Sequence, residues 1–333
     1  MGISTRGLLI NNKVKKDNSV AANSPKGMTE RKRYSPLANF VIRLIKEKPL
    51  GVLGAAVTMV LLITGIFANY LAPYGMNQIF PTHALEPPSA QFWLGTDNLG
   101  RDLLSRIIFG ARISVIVGLT ATFISTVVST FMGILSAYIG GIFDLILQRF
   151  VDAVMCLPSL VLLMVIISII GPGMWQVIVC LGIAGGIAGS RMIRGIVIGM
   201  KENMYVGAAT ATGNSTARIL TRHILPNIMP SIIIIFSIGV PGAILAEAGL
   251  SFLGFGIPAP TPSWGGMLSG RARAYMFQAP WMALWPGLAL TIMVYSVSMF
   301  GDAVRDLLDP RLTGGTGRYG VRVKKVETLK SKP

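Results

Sequence analysis

Glu247 is the one carboxylate deep inside a long apolar run, GVPGAILAEAGLSFLG. If that run crosses a bilayer, an ionised side chain at mid-depth costs about 2.5–3.5 kcal/mol. Glu247 must then face protein or sit near an outer end. It fits either a gate or solute contact, or a capped bend ahead of GLSFLGFG, and the structural role is the stronger of the two. Nucleophilic or acid–base chemistry at that depth would need a base beside a nucleophile, or a second acid. The apolar runs supply Ser and Thr but no His, Lys or Asp, so a membrane hydrolase is not expected. His83 and His223 are far apart and show no ligand spacing. Cys156 and Cys180 both fall in apolar runs, which suits small core residues rather than a disulfide or a metal site. No G-x-x-x-x-G-K-[ST] run occurs, so no phosphate-cradling loop is present and any ATP chemistry belongs to another chain. No cofactor or metal is expected in this one. Asp302, Arg305 and Asp306 stand at i, i+3 and i+4, where they pair with one another, lock the end of the chain to another loop, or line a solvated face.

The elements that hold these residues are membrane spans. Hydrophobic residues make up 52% of the 333 and charged ones 13%, about half the charged share of a soluble domain. The mean hydropathy is +0.62. Charge-free runs place spans near 50–71, 113–139, 154–170, 174–192, 228–248 and 281–300. The expected architecture is therefore an all-α polytopic membrane protein of six transmembrane helices. Between the runs lie a Pro-rich loop over 73–100, the stretch RDLLSRIIFGAR, an amphipathic elbow DLILQRFVD and a loop containing FGIPAPTPSWGG. In RDLLSRIIFGAR, Leu103, Leu104, Ile107 and Ile108 share one helical face, and Asp102 and Arg106 share another at i, i+4. This reads as a short helix on the membrane surface, or a plain connector. PLANFVIRLIKEKP, within the basic segment 1–49, reads as an interfacial helix. Gly182, Gly185, Gly186 and Gly189 form two small-xxx-small pairs, a signature of close helix packing.

A net charge of +16 would suit nucleic acid, but its distribution gives topology instead. Of 30 Lys and Arg, 25 fall in the N-terminal segment, the elbow, residues 191–222 and the stretch from Arg305 onward. The positive-inside rule then sets both termini, the elbow and the 191–222 region in the cytoplasm. Membrane lipid is a partner on this reading and nucleic acid is not.

MYVGAATATGNSTARILTRHILPN, 204–227, is out of keeping with its apolar flanks. Asn203 suits a helix start. Tyr205, Ala208, Ala209 and Thr212 fall at i, i+3, i+4 and i+7, a face of small residues with one aromatic knob. Gly213 suits a left-handed helix close; Asn214 or Ser215 suits the cap of a second helix, and Pro226 precedes the return to the membrane. Such a face fits a groove on another protein, although an ordinary loop would also serve.

The stretch resembles the cytoplasmic coupling loop of ABC importer permeases: Glu-Ala-Ala, three residues, Gly, nine residues, a branched apolar residue, any residue, Leu-Pro. Here Gly207-Ala208-Ala209, Gly213 and His223-Ile224-Leu225-Pro226 occupy those places. Gly207 replaces the family Glu, and His223 stands at the branched position. WLGTDNLGRDLLSRIIFGARIS, EAGLSFLGFG, PTPSWGGML and GDAVRDLLDPR are similar to the dipeptide/oligopeptide/nickel branch, in the form of its second permease subunit. The likeness runs over about residues 40–312. It implies a type I importer fold: a basic tail at 1–49, a first span with its loop and surface helix at 50–110, a core of five spans at 111–305 carrying the coupling loop 200–227, and a basic tail at 306–333. It also implies a second permease subunit, two ATPase subunits holding ATP and Mg, and an extracytoplasmic binding protein that delivers peptide, nickel chelate, oligosaccharide or glutathione. Tyr205, Gly207, Ala208, Ala209, Thr212, Gly213, Leu225 and Pro226 are the coupling residues this resemblance implies. A lone ion-coupled carrier would show internal repeats and intramembrane charges, and neither is evident.

Overall fold

The computed structural model describes residues 36–275 and 277–308. Of the basic tails expected at 1–49 and 306–333, residues 1–35 and 309–333 lie outside the described residues. No strand occurs among those described, and helices joined by loops carry most of the chain.

Helix α1 (Pro36–Glu47) sets Leu44 against Ala303 and Leu307 of the last described helix. Pro49 then opens α2 (Pro49–Ile66), a position where a missing N–H costs nothing. Gly51 and Gly54 bring α2 against Ala303 and Ser296 of that helix, α10 (Trp281–Leu308).

The surface helix expected at RDLLSRIIFGAR does not exist as a separate element. Asp102 caps α3 (Leu103–Ile139), accepting the Ser105 N–H at 2.8 Å, and the helix runs unbroken for 37 residues. Nothing in the sequence interrupts it, and its charges are absorbed along the way. Arg112 turns to cap the end of α2, donating to the carbonyls of Gly65 (2.8 Å) and Ile66 (3.1 Å). The boundary expected at 110/111 thus falls inside one helix.

Gly140 and Gly141, both at positive φ, end α3 and start α4 (Gly141–Met155). Pro158 precedes α5 (Ser159–Ile170), and the two helices meet at 89°. The span expected at 154–170 is shorter as a helix: α5 has 12 residues, about 18 Å of rise against a hydrocarbon core of about 30 Å. Among the described residues five helices are long and apolar enough to cross alone, and the bent pair α4–α5 brings the number to six when counted as one span.

Helix α6 (Met174–Lys201) lies along α3 as its glycines foretold. A Cβ at Gly186 would stand 2.5 Å from Val128 Cβ, and one at Gly182 would stand 2.6 Å from Ile124 Cγ2. After α7 (Met204–Ala211) the chain returns through α8 (Thr216–Phe252), which holds a π-helical turn at Leu220–Ile224 and Pro226, Pro230 and Pro241. Short α9 (Trp264–Met267) seats Trp264 against α3, its indole N–H donating to the Ile107 carbonyl at 3.1 Å.

Candidate functional site

Two residues separate α6 from α7. Asn203 occupies the N-cap, its carbonyl taking the Val206 N–H at 3.0 Å, while its amide side chain turns back to the Met200 carbonyl. Val206 and Ala209 are buried in a cluster with Ile134 and Ala137 of α3, Ile193 and Val197 of α6, and Ile219, Ile224 and Ile228 of α8. Met204, Tyr205, Gly207, Ala208, Ala211 and Thr212 are exposed. The expected face therefore loses Ala209. Val206 is the one branched apolar side chain of α7, and sinking it rolls the helix so that the residue three places on goes under with it.

The helix ends as its Gly suggested. Gly213 has φ +76°. The Gly213 N–H bonds the Thr210 carbonyl at 3.0 Å and the Asn214 N–H bonds the Ala209 carbonyl at 3.2 Å, the paired bonds of a Schellman close. Ser215 caps the next helix by position, without a side-chain bond. Further on, the Leu225 N–H reaches five residues back to the Leu220 carbonyl. The backbone widens just ahead of Pro226, which has no N–H to give. Leu225 is half-buried and Pro226 exposed. An added Cβ at Gly207 would meet nothing within 4 Å, so the site has room for a side chain.

At the far end of α8, Glu247 is 1% exposed and accepts the Ser251 hydroxyl at 2.7 Å. Ser251 Oγ in turn accepts the Ile257 N–H at 3.1 Å. Through Ser251, Glu247 is linked to the loop that follows the helix end.

These elements form the body that a family model recognises. The model for the binding-protein-dependent transport system inner membrane component matches residues 129–314. This chain is a member of that family. A second model, for the N-terminal TM domain of oligopeptide transport permease C, matches 35–88. The permease is 34% identical over 290 residues to the dipeptide transport system permease protein DppC of Alkalihalophilus pseudofirmus, covering 87% of this chain and 95% of that one. It is 36% identical over 273 residues to the glutathione transport system permease protein GsiD of Escherichia coli O6:K15:H31, covering 82% and 90%. Among solved structures, the inward-facing MetNI methionine ABC transporter shares the fold, with a TM-score of 0.50 at 18% identity over 62% of this chain and 97% of that one. The permease is thus a multi-pass inner-membrane subunit of the ABC importer class, with the type I fold.

Two charge groups in the permease reach well beyond their own helical turn. Asp102 caps α3. Arg106 approaches Asp97 at 3.8 Å and donates to the carbonyls of Met76 and Pro260. Asp97 also takes Arg101 Nε at 2.7 Å, and all three side chains are buried. GTDNLGRD carried a signal for this, since Asp97 and Arg101 stand at i, i+4, but the turn that folds them together is set by Gly95 and Gly100 at positive φ. Asp306 reaches neither Arg305 nor the coupling loop. It pairs with Lys48 at 2.5 Å, fastening α10 to the start of α2, a contact across 258 positions that no local spacing reveals.

Proposed function

We propose that this permease forms half of the pathway of an ATP-driven importer of short peptides, paired with a second permease. On this reading two ATPase subunits hold ATP and Mg and receive α7, and an extracytoplasmic binding protein delivers the peptide. Both termini, the α3–α4 corner and α7 face the cytoplasm, in keeping with the Lys and Arg distribution. The observation that carries the reading is the two-sidedness of α7. Val206 and Ala209 are keyed into the hydrophobic cluster of α3, α6 and α8, while Tyr205, Gly207, Ala208 and Thr212 stay open on the other side. A helix held so from within transmits a push from without. Gly213, Leu225 and Pro226 shape its exit rather than its outer surface. Peptide is favoured because the named relatives handle a dipeptide and glutathione, itself a tripeptide.

The test uses the complete transporter in proteoliposomes, with Ala208→Glu and Tyr205→Ala in the permease. Membrane abundance should be unchanged, and uptake of a labelled dipeptide should be lost along with solute-stimulated ATP hydrolysis. Normal uptake by both variants would refute the coupling role. Competition by oligosaccharide or nickel chelate, with none by unlabelled dipeptide, would refute the substrate class.

A further inference from the structure

We propose that a polar ladder between α4 and α6 is the strut that carries movement of α7 to the bent α4–α5 crossing, with Asp144 and Arg194 as its positioning residues. The inference rests on α7 being the coupling element.

Helix α4 has one face of polar residues, Asp144, Gln148 and Asp152, at i, i+4 and i+8. Each meets a partner. Asp144 is held by Arg194 of α6 in a two-pronged pair, Oδ1 to Nε at 2.7 Å and Oδ2 to Nη2 at 2.6 Å. The Ser136 hydroxyl of α3 also donates to Asp144, and Gln148 donates to that same hydroxyl at 3.0 Å. Asp152 pairs with Arg191 of α6 and with Arg149 of its own helix. Lys201, at the foot of α6, donates to the Tyr138 carbonyl at 2.9 Å and lies over the Tyr138 ring. Arg191, Arg194 and Lys201 share one side of α6.

The ladder matters because α4 has little else to hold it. Val151 is its one buried side chain, whereas Ile142, Leu145, Ile146 and Phe150 are all more than half exposed. Within this chain, α4 is therefore fixed chiefly by its polar rungs. A planar guanidinium gripping both oxygens of a carboxylate fixes direction as well as distance. Asp144 and Arg194 are also the least exposed pair of the ladder, with side chains at 17% and 29%.

The two ends of the ladder lead to different places. Through Ile193 and Val197, α6 shares its cluster with Val206 and Ala209 of α7, so these two helices move together. Through Cys156, Leu157 and Pro158, α4 runs into α5. There Met155, Ser159, Leu162 and Leu163 help line a cavity of about 510 Å³, with Thr122 of α3 and Gly185 of α6 on its other side. A rigid α4–α6 bracket makes a shift at α7 a shift of that cavity wall. A severed bracket leaves α7 docked but the wall unmoved.

The test is a charge exchange in the complete transporter. Asp144→Asn, Arg194→Gln and the double exchange Asp144→Arg with Arg194→Asp are compared for ATPase retention, ATP turnover and dipeptide uptake. Each single variant should retain its ATPase subunits and hydrolyse ATP, yet import about tenfold less peptide per ATP. The exchange should recover most of that ratio, a readout that mere loss of fold would not produce. Single variants that import at the unaltered ratio, or an exchange no better than the single variants, would overturn the strut. An unaltered complex that fails to retain its ATPase subunits would instead overturn the coupling role of α7.

Discussion

Removing the Asp97 carboxylate should unfasten the lobe that precedes α3. Asp97 is 4% exposed. One oxygen takes Arg101 Nε at 2.7 Å with Arg106 Nε at 3.8 Å, and the other takes the N–H groups of Leu99 and Arg101 at 2.8 and 3.0 Å. Asp97→Ala therefore deletes a buried anion that faces two buried arginines and strands two backbone donors. Breaking a buried pair from one side costs about 3–5 kcal/mol. At roughly 2–4 °C per kcal/mol, the apparent Tm should fall by roughly 10 °C. Asp97→Asn keeps an acceptor for the two N–H groups and should fall between. Asp306→Ala is the matched control, because its pair with Lys48 is 36% and 39% exposed and such pairs contribute about 0–1 kcal/mol. Heating the detergent-solubilised protein and following the surviving monodisperse fraction by fluorescence size exclusion measures both. If Asp97→Ala melts with the unaltered chain, or Asp306→Ala melts as early as Asp97→Ala, the assignment of stability to burial of the charge group is wrong.

Two further expectations concern glycines. Gly213 has open space around it but a φ of +76°, so Gly213→Asn should preserve uptake, while Gly213→Val, a branched residue in a left-handed position, should cost about 1–2 kcal/mol locally and reduce uptake at normal abundance. At Gly186 space is the constraint: Gly186→Leu would drive a side chain into Val128 and the Ser125 carbonyl, and at about 1–3 kcal/mol for overpacking should lower both abundance and Tm, whereas Gly207→Leu on the open face should lower neither.

Much of this fold was legible because membrane helices write themselves in apolar runs and glycine spacing. The small-residue pairs of α6 found their seat on α3, and Gly213 closed α7 in the left-handed turn its type suggested. Local pattern failed where a single side chain decided the outcome. Ala209 carries no strong preference of its own, so its burial followed from Val206, a neighbour whose weight a face of small residues concealed. RDLLSRIIFGAR read as a surface helix because its apolar and charged residues fall on separate faces, yet Asp102, Arg106 and Arg112 each found protein partners and the helix simply continued. The bend between α4 and α5 was hidden in a charge-free stretch, where hydropathy counts residues but not direction. The ties from Asp306 to Lys48 and from Arg194 to Asp144 join residues 258 and 50 positions apart, and only the fold brings them together.

The length of α3 has a geometric consequence. Its 37 residues make a rod of about 55 Å, rooted at one tip by Asp102 beside the buried arginines and at the other by Ser136 beside Asp144. On a lever of that span, a pivot of about one degree displaces the opposite tip by about 1 Å, enough to lengthen a hydrogen bond past its useful range. Events on one side of the membrane and contacts on the other are thus geared through a single piece of secondary structure.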